Sequence, residues 1–250
     1  MKNKNQVKVL FYDIETSPNI SYTWGKWEQN VIEFVKEWDM LSFSAKWLGG
    51  KQITKGRCDY KDKTDESLVK DMWKLFDEAD VIVAHNGDAF DIKKTQARFS
   101  FYKMKPTSPF KTVDTKKVAK KYFNFNSNSL NDLGVTLGFG KKEKHDGFET
   151  WLGCMNGDKK AWSVMKKYNA KDVILLEKIY IHFLPWISNH PNISMYMNSE
   201  VCPSCGSKHL QSRGFAITLT GKFRRFQCQT CGHWSRTRVK EEEINSIRHI

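Results

Sequence analysis

The apolar positions fall into short runs and helix-period stripes that alternate along the first two thirds of the chain. Lys8–Ile14 (KVLFYDI) is a compact apolar run that predicts a strand, and Ile20–Trp27 and Asp39–Trp47, rich in aromatic and β-branched residues, predict two more. Gly49 and Gly50 make a turn into a further extended stretch, Gln52–Tyr60. Thr64–Glu78 has a different period: Leu68, Met72, Leu75 and Phe76 recur at helical spacing behind an acidic first turn, with Thr64 as the predicted N-cap. Val81–Ala84 (VIVA) reads as a strand at the centre of a sheet. Asp91–Met104, Asp114–Tyr122 and Leu130–Leu137 read as helices, with Asp114 as an N-cap. Asp158–Ser188 reads as a long helix or helix pair ending near Pro185. Strands followed mostly by helices predict an α/β domain with a mixed central sheet flanked by helices.

The pattern changes near residue 190. Ser188–Glu200 (SNHPNISMYMNSE) is polar and contains proline, as a linker would. From Val201 to Lys240 there are eight Lys and Arg and no acidic residue, with strand-like stretches at Phe215–Thr220 and Phe223–Gln227. The expected organisation is a domain over 1–188, a linker over 189–200, a small module over 201–240 and a charged tail over 241–250.

Cysteine spacing says what holds the small module together. Cys202, Cys205, Cys228 and Cys231 form two C-x2-C pairs separated by 22 residues, the spacing of a structural zinc site. Each pair is followed by a glycine, Gly206 or Gly232, able to take the positive φ that lets backbone N–H groups approach thiolates. The module therefore reads as a β zinc ribbon. Forty residues cannot build a self-sufficient core, so the metal supplies most of its folding free energy. His209 and His233 lie nearby, but four cysteines already fill a tetrahedral site.

Composition narrows the partner. The 250-residue chain carries 41 Lys and Arg against 28 Asp and Glu, a net charge of +13. Residues 201–250 hold +6 of it, so a fifth of the chain carries nearly half the surplus. An anionic partner is expected, and nucleic acid is the usual one. The longest apolar stretch, Val173–Ile187, contains Glu177, Lys178 and His182 and is broken by Pro185, and the start of the chain (MKNKNQ) has no signal-peptide core. A cytoplasmic protein without membrane contact is expected.

Three acidic clusters carry candidate chemistry. Asp13 and Glu15, in Asp13-Ile14-Glu15-Thr16, share one face of an extended chain while Ile14 points into the core, which makes a half-site for hard cations such as Mg2+ or Mn2+. His85-Asn86-Gly87-Asp88-Ala89-Phe90-Asp91 leaves the carboxyl end of the VIVA strand, where ligand-binding groups gather in open sheets. Asp91 there would cap the next helix while facing the cavity. Tyr168 and Asp172 stand at i and i+4 on one face of the long helix. Singly, each cluster has an ordinary alternative: solvated acids, a helix cap, or a tyrosine in a core stripe with Val164, Leu175 and Ile179.

In this order, D-I-E-T, N-x3-F-D and Y-x3-D resemble the three motifs of the DEDD 3′–5′ exonuclease superfamily with the ribonuclease H-like fold. The tyrosine points to its DEDDy branch, which includes the proofreading exonuclease domain of family B DNA polymerases and stand-alone relatives in bacteria and phages. The resemblance spans about residues 7–187 and includes V-D-T at Val113–Thr115 and SLNDLGVTL at Ser129–Leu137. It implies two catalytic Mg2+ or Mn2+ ions, bridged by Asp13, with Glu15 and Asp172 completing one site and Asp91 the other, and Tyr168 orienting the attacking water. Thr16 and Asn86 would contact the terminal nucleotide; Phe90 would pack beside it or serve the core. The implied substrate is a nucleic acid with a free 3′ end, single-stranded DNA first. An exoribonuclease of the same fold, or a non-catalytic module recruiting a replication or repair protein, stands as the alternative. In the ribbon, Lys222, Arg224, Arg225, Arg236 and Arg238, interleaved with Phe223, Phe226 and Trp234, suit phosphate contacts and base stacking. A purely structural staple is the other reading.

Overall fold

In the computed structural model, which describes residues 7–27, 30–61, 64–219 and 221–241, the first apolar run becomes strand β1, Val9–Thr16. It sits mid-sheet because both its faces are apolar over most of its length: Leu10, Tyr12 and Ile14 enter one core cluster, while Val9 and Phe11 are buried on the opposite face. β2 (Ile20–Tyr22) and β3 (Glu33–Lys36) form a separate two-stranded sheet. β4 (Met40–Trp47) runs antiparallel between β1 and β5 (Gln52–Gly56). After α1 (Glu66–Glu78), β6 (Val81–Ala84) pairs parallel with β1. After α2 (Asp91–Phe101), β7 (Lys111–Asp114) pairs parallel with β6. The resulting mixed five-stranded sheet has the order β5-β4-β1-β6-β7. Four helices follow: α3 (Thr115–Tyr122), α4 (Leu130–Thr136), α5 (Phe148–Met155) and α6 (Lys159–Phe183).

The stripe on α1 explains one side of the core. Leu68, Val69, Met72 and Phe76 are fully buried, and the Phe76 ring meets Tyr12, Phe99 and Phe110 edge-on at 5.0, 5.6 and 5.5 Å. Each such buried side chain contributes about 1.5–3 kcal/mol, so Phe76→Ala would remove the hub that joins β1, α1 and α2. On the other face of the sheet, Phe11 meets Tyr180 of α6 at 5.2 Å.

Several local expectations are corrected. The strand expected over Ile20–Trp27 stops at Tyr22; Trp24 and Trp27 are 86% and 87% exposed, so no burial holds them extended. Gln52–Tyr60 ends as a strand at Gly56, whose N–H donates to Asp59 Oδ2 (2.9 Å) in a short 3-10 turn over Arg57–Asp59. The α1 N-cap is Asp65 instead of Thr64, although the carboxylate of Asp65 serves elsewhere, accepting from Met40 N (2.8 Å) and Arg98 Nε (2.8 Å). The helix after β6 ends at Phe101, three residues early, and Lys103 takes φ +54. Asp114 does cap α3, accepting from the backbone N–H groups of Lys116 and Lys117.

Two compact units emerge, Lys8–Tyr180 and a second that begins at Ile181, within the last turn of α6. The last turn goes with the second unit partly because His233 Nδ1 lies 3.2 Å from the Pro185 carbonyl oxygen, at the 3-10 turn Leu184–Trp186. The stretch expected to be a linker contains a short helix, α7 (Ile193–Met197), capped by Asn192 Oδ1 on Ser194 N (3.1 Å) and tied by Ile193 N to the Pro203 carbonyl (2.7 Å). β8 (Leu210–Thr218), β9 (Gly221–Cys228) and β10 (Trp234–Arg236) complete this unit as an antiparallel sheet ordered β10-β9-β8. Apart from Glu241, the expected charged tail lies outside the described residues, as does Thr220. No helix among the described residues is long and apolar enough to cross a membrane.

Candidate active site and cysteine cluster

Alternation along β1 places its acids. Val9, Phe11, Asp13 and Glu15 share a face, so the acids continue the row that α6 covers, while Ile14 turns into the core on the other side. α6 supplies Asp172, and one carboxylate oxygen from each of Asp13, Glu15 and Asp172 lies within 4.8 Å of the others. Asp91, the first residue of α2, is buried beside them, its Oδ1 accepting from Ile14 N at 3.4 Å. Asp91 is not the helix cap: Phe90 holds the N-cap position, and the Asp91 carboxylate faces β1.

Crowding of like charges away from water sets the electrostatics. Burial, then the neighbouring acids Asp91, Glu15 and Asp172, push the Asp13 carboxyl well above its usual range. Burial and Asp172 push Glu15 up to about 8. Burial raises Asp91 to about 7, against the hydrogen bonds from Ile14 and its own backbone N–H. Asp172 is raised by burial, with Lys142 working in the opposite direction. Its Oδ1 is buried without a hydrogen-bond partner. Three or four oxygen donors, mutual repulsion and an orphaned carboxylate oxygen fit divalent cations with hard-ligand preference.

Two further side chains belong to this site and carry no motif of their own. Asn169 donates through Nδ2 to Asp13 Oδ2 (2.6 Å) and to the Asp13 carbonyl (3.2 Å), while its Oδ1 accepts from Ser42 Oγ (3.3 Å). Asn169 thus fixes the carboxylate of Asp13 from within the same helical turn as Tyr168 and Asp172. Lys142 donates to Asp172 Oδ2 (2.6 Å) and to the Tyr168 hydroxyl (2.8 Å). Burial alone would lower its pKa, but Asp172 and Tyr168 hold it above the usual lysine range. The loop bearing Lys142 is seated on α4: Lys142 N donates to Asn131 Oδ1 (3.1 Å), and a Cβ at Gly134 would sit 2.6 Å from the Gly140 carbonyl oxygen. A side chain at 134 would push that loop away.

Tyr168 packs its ring against His145 (4.8 Å), and burial and Asp172 push its hydroxyl up to about 12. Thr16 follows Glu15 at the point where the β1–β4 register shifts. Asn86 takes φ +67 and donates its backbone N–H to Asp114 Oδ1 (2.9 Å), so Asp114 both caps α3 and shapes the loop before Asp91. Phe90 is 41% exposed, so it is not a core residue. His85 is structural: burial lowers it to about 4, and its ring nitrogens face Thr115 Oγ1 (2.9 Å) and the Asn128 carbonyl (3.0 Å).

The second unit brings Cys202, Cys205, Cys228 and Cys231 together, again with all four sulfurs within 4.8 Å. The Cys202–Cys231 and Cys205–Cys228 sulfur separations are 3.7 and 3.6 Å. A tetrahedron with Zn–S bonds of about 2.3 Å has edges of about 3.8 Å, so the cluster has the dimensions of a zinc site. The two knuckles repeat one turn: Gly206 N donates to Cys202 O and Gly232 N to Cys228 O, both at 2.9 Å, with both glycines at positive φ. On the sheet beyond the knuckles, Lys222 Nζ lies 4.0 Å over the Phe215 ring, Arg225 4.9 Å over Trp234 and Arg236 3.9 Å over Phe223.

A mixed five-stranded sheet with helices, carrying a carboxylate cluster at the end of its central strand, defines the class of the larger unit. The family model of the RNase H superfamily matches residues 10–184, and the chain belongs to that superfamily. The family B DNA polymerase from the hyperthermophilic archaeon Pyrobaculum calidifontis has a similar fold, with a TM-score of 0.56 at 14% identity. That similarity covers 72% of this chain and 25% of the polymerase, so the chain corresponds to about a quarter of the polymerase's length. No curated protein matches the chain.

Proposed function

We propose that this protein is a divalent-metal-dependent 3′–5′ exonuclease of the DEDDy type that hydrolyses phosphodiester bonds at the ends of single-stranded DNA. The observation that carries this reading is the convergence of Asp13, Glu15 and Asp172, three oxygen donors within 4.8 Å, one helical turn from Tyr168. Membership of the RNase H superfamily supports nucleic acid as the substrate class.

Asp13, Glu15 and Asp172 would hold one Mg2+ or Mn2+, and Asp13 with Asp91 a second. Bound there, the ions supply Lewis-acid stabilisation of the attacking and leaving oxygens of an in-line displacement. Asn169 keeps the Asp13 carboxylate in one rotamer, so the shared ligand is positioned before substrate arrives. Tyr168, with its hydroxyl raised to about 12, stays neutral at physiological pH and orients water instead of deprotonating it. Its oxygen accepts from Lys142, and its phenolic proton is shared with the Asp172 carboxylate, so the hydroxyl is held in place beside the acids. Lys142 adds a fixed positive charge where the phosphate gathers negative charge. Phe90, exposed at the head of α2, is the candidate to pack on the terminal base, with Thr16 and Asn86 beside the same end of β1 and β6.

A 5′-labelled oligonucleotide supplied with Mg2+ or Mn2+ should yield a ladder that shortens from the 3′ end, and Asp13→Ala should reduce it to background. Running matched single-stranded DNA, duplex DNA and RNA separates the substrate classes. Intact substrates in every lane, with Asp13→Ala indistinguishable from the parent, would remove the hydrolytic reading.

A further inference from the structure

The three-stranded sheet of the second unit has two unequal faces. Strand alternation puts Lys222 and Arg224 on one face with Phe215, which pairs with Arg224 across β8 and β9. Arg224 is neutralised there: its Nε and Nη2 donate to the two carboxylate oxygens of Glu241 at 2.6 and 2.9 Å. The other face carries Phe223, Arg225, Trp234 and Arg236. Arg225 and Arg236 are direct cross-strand partners in the β9–β10 register, and like charges placed opposite one another destabilise a sheet.

Among the described residues nothing anionic relieves them. Residues 201–240 contain no Asp or Glu, and among the described residues these arginines meet neutral groups alone. Arg225 Nε donates to the Arg213 carbonyl (3.0 Å) and lies over Trp234; Arg236 lies over Phe223. Arg213, in the bulge that shifts the β8–β9 register, donates through Nε and Nη2 to Gln211 Oε1 at 3.1 and 3.0 Å. Aromatic rings and neutral acceptors hold the guanidinium groups in place without cancelling their charge. That arrangement lowers the ordering cost of binding an anion and leaves the Coulombic gain for the partner.

We propose that Arg225, Arg236 and Trp234 form a binding site for single-stranded nucleic acid, with phosphodiester groups between the two arginines and a base stacked on the exposed indole, and that the Lys222/Arg224 face takes no part. The assignment rests on nucleic acid being the substrate of the protein. It differs from a general basic surface by predicting which arginines matter.

The test uses the full chain, zinc-loaded, in an Asp13→Ala background so that binding is read without cleavage, and a fluorescent single-stranded oligo-dT. Arg225→Gln/Arg236→Gln should bind roughly tenfold more weakly, and its log Kd against log salt slope should fall by about 1.4, the value for two lost single-strand phosphate contacts. Trp234→Leu should weaken binding by at least about fivefold with the slope unchanged. Arg224→Gln, which removes the same charge per site, should stay within about twofold. Zinc content of every variant reports an intact module. Equal affinity and slope in the double variant, an equal loss in Arg224→Gln, or no oligonucleotide binding by the parent at low salt would overturn the site. So would a glutamate-rich peptide that binds the parent more tightly than oligo-dT and loses that affinity in the double variant. Should the protein with native Asp13 cleave nothing while the double variant still lowers affinity and slope, the hydrolytic reading fails and this site stands.

Discussion

Both units gather metal-type side chains, three acids with Asp91 beside them in one and four cysteines in the other, but they hold them in opposite ways. In the larger unit the acids sit on a strand and helices that the apolar core already fixes: Phe11 against Tyr180, and Tyr12 against Phe76. There the acids are a burden on the fold, since burial raises all four carboxyls and repulsion from neighbouring acids of the site adds to it at Asp13 and Glu15. In the smaller unit the three-stranded sheet buries little, with Phe223 its one large apolar residue below a tenth exposed. The cysteine cluster there ties the sheet to the rest of the unit. A metal bound at the first would find its site already built, whereas a metal bound at the second would build it.

The largest expected effect breaks that contrast directly. Stripping zinc, or replacing Cys228 by Ser, should unfold the β8–β10 sheet, because structural zinc contributes about 10–16 kcal/mol of apparent binding free energy to such modules. Amide hydrogen exchange should then show residues 210–236 exchanging freely while β1, β4 and β6 stay protected. Protection retained in β8 and β9 after complete zinc removal would mean that the module has a core of its own.

A smaller effect sharpens the account of the acidic site. Lys142→Met keeps the length of the side chain and deletes the charge that offsets Asp172. Hydrolysis under single-turnover conditions should fall about 10²-fold, the scale of one lost electrostatic contact to a transition state. The melting temperature of protein free of divalent ions should also drop, since Asp172 loses its partner. Undiminished turnover would assign Lys142 to loop anchoring alone.

The smallest effect is a pair of opposite pH slopes. Glu15 and Asp91 are raised, to about 8 and about 7, above ordinary values near 4.5 and 3.8. Their contribution is complete below the unfolded-state values and is lost as pH climbs through 7 to 8. Without Mg2+ or Mn2+, the melting temperature of the larger unit should therefore decline by a few degrees between about pH 5 and 8. Adding Mn2+ should flatten the decline. Zinc retention should run the other way, falling as pH drops, because thiolates must lose protons to bind metal. Calorimetry with a parallel zinc assay reads both, and slopes of the same sign would contradict the division.

Much of the larger unit was legible in the chain because its signals are local. The VIVA strand has the bounds read from its apolar run, and the alternation of Asp13, Ile14 and Glu15 gave their two faces correctly. Over Ile20–Trp27 aromatic content is a poor guide to strand length, because an extended aromatic stretch without a cover does not remain a long strand. Strand β7 and helix α5 carry little local signal: Lys111–Asp114 is four residues long and two of them are exposed. In the site, Asn169 does carry a signal, lying between Tyr168 and Asp172 and three residues from the acid. Lys142 had none, since Lys141 and Lys144 flank it and only the seating of the loop on Asn131 and Gly134 selects one lysine of the three.

The sequence by itself determined the periodicities, the two C-x2-C pairs and the residues inside each acidic motif, because each depends on residues at most a few turns apart. Tertiary structure decided which distant groups share a point: Asp13 with Asn169, Asp172 with Lys142, and Arg225 opposite Arg236 while Arg224 is bound by Glu241. Charge and hydrogen-bond energies depend on separation in space, and separation along the chain does not fix it until the sheet register and helix packing do.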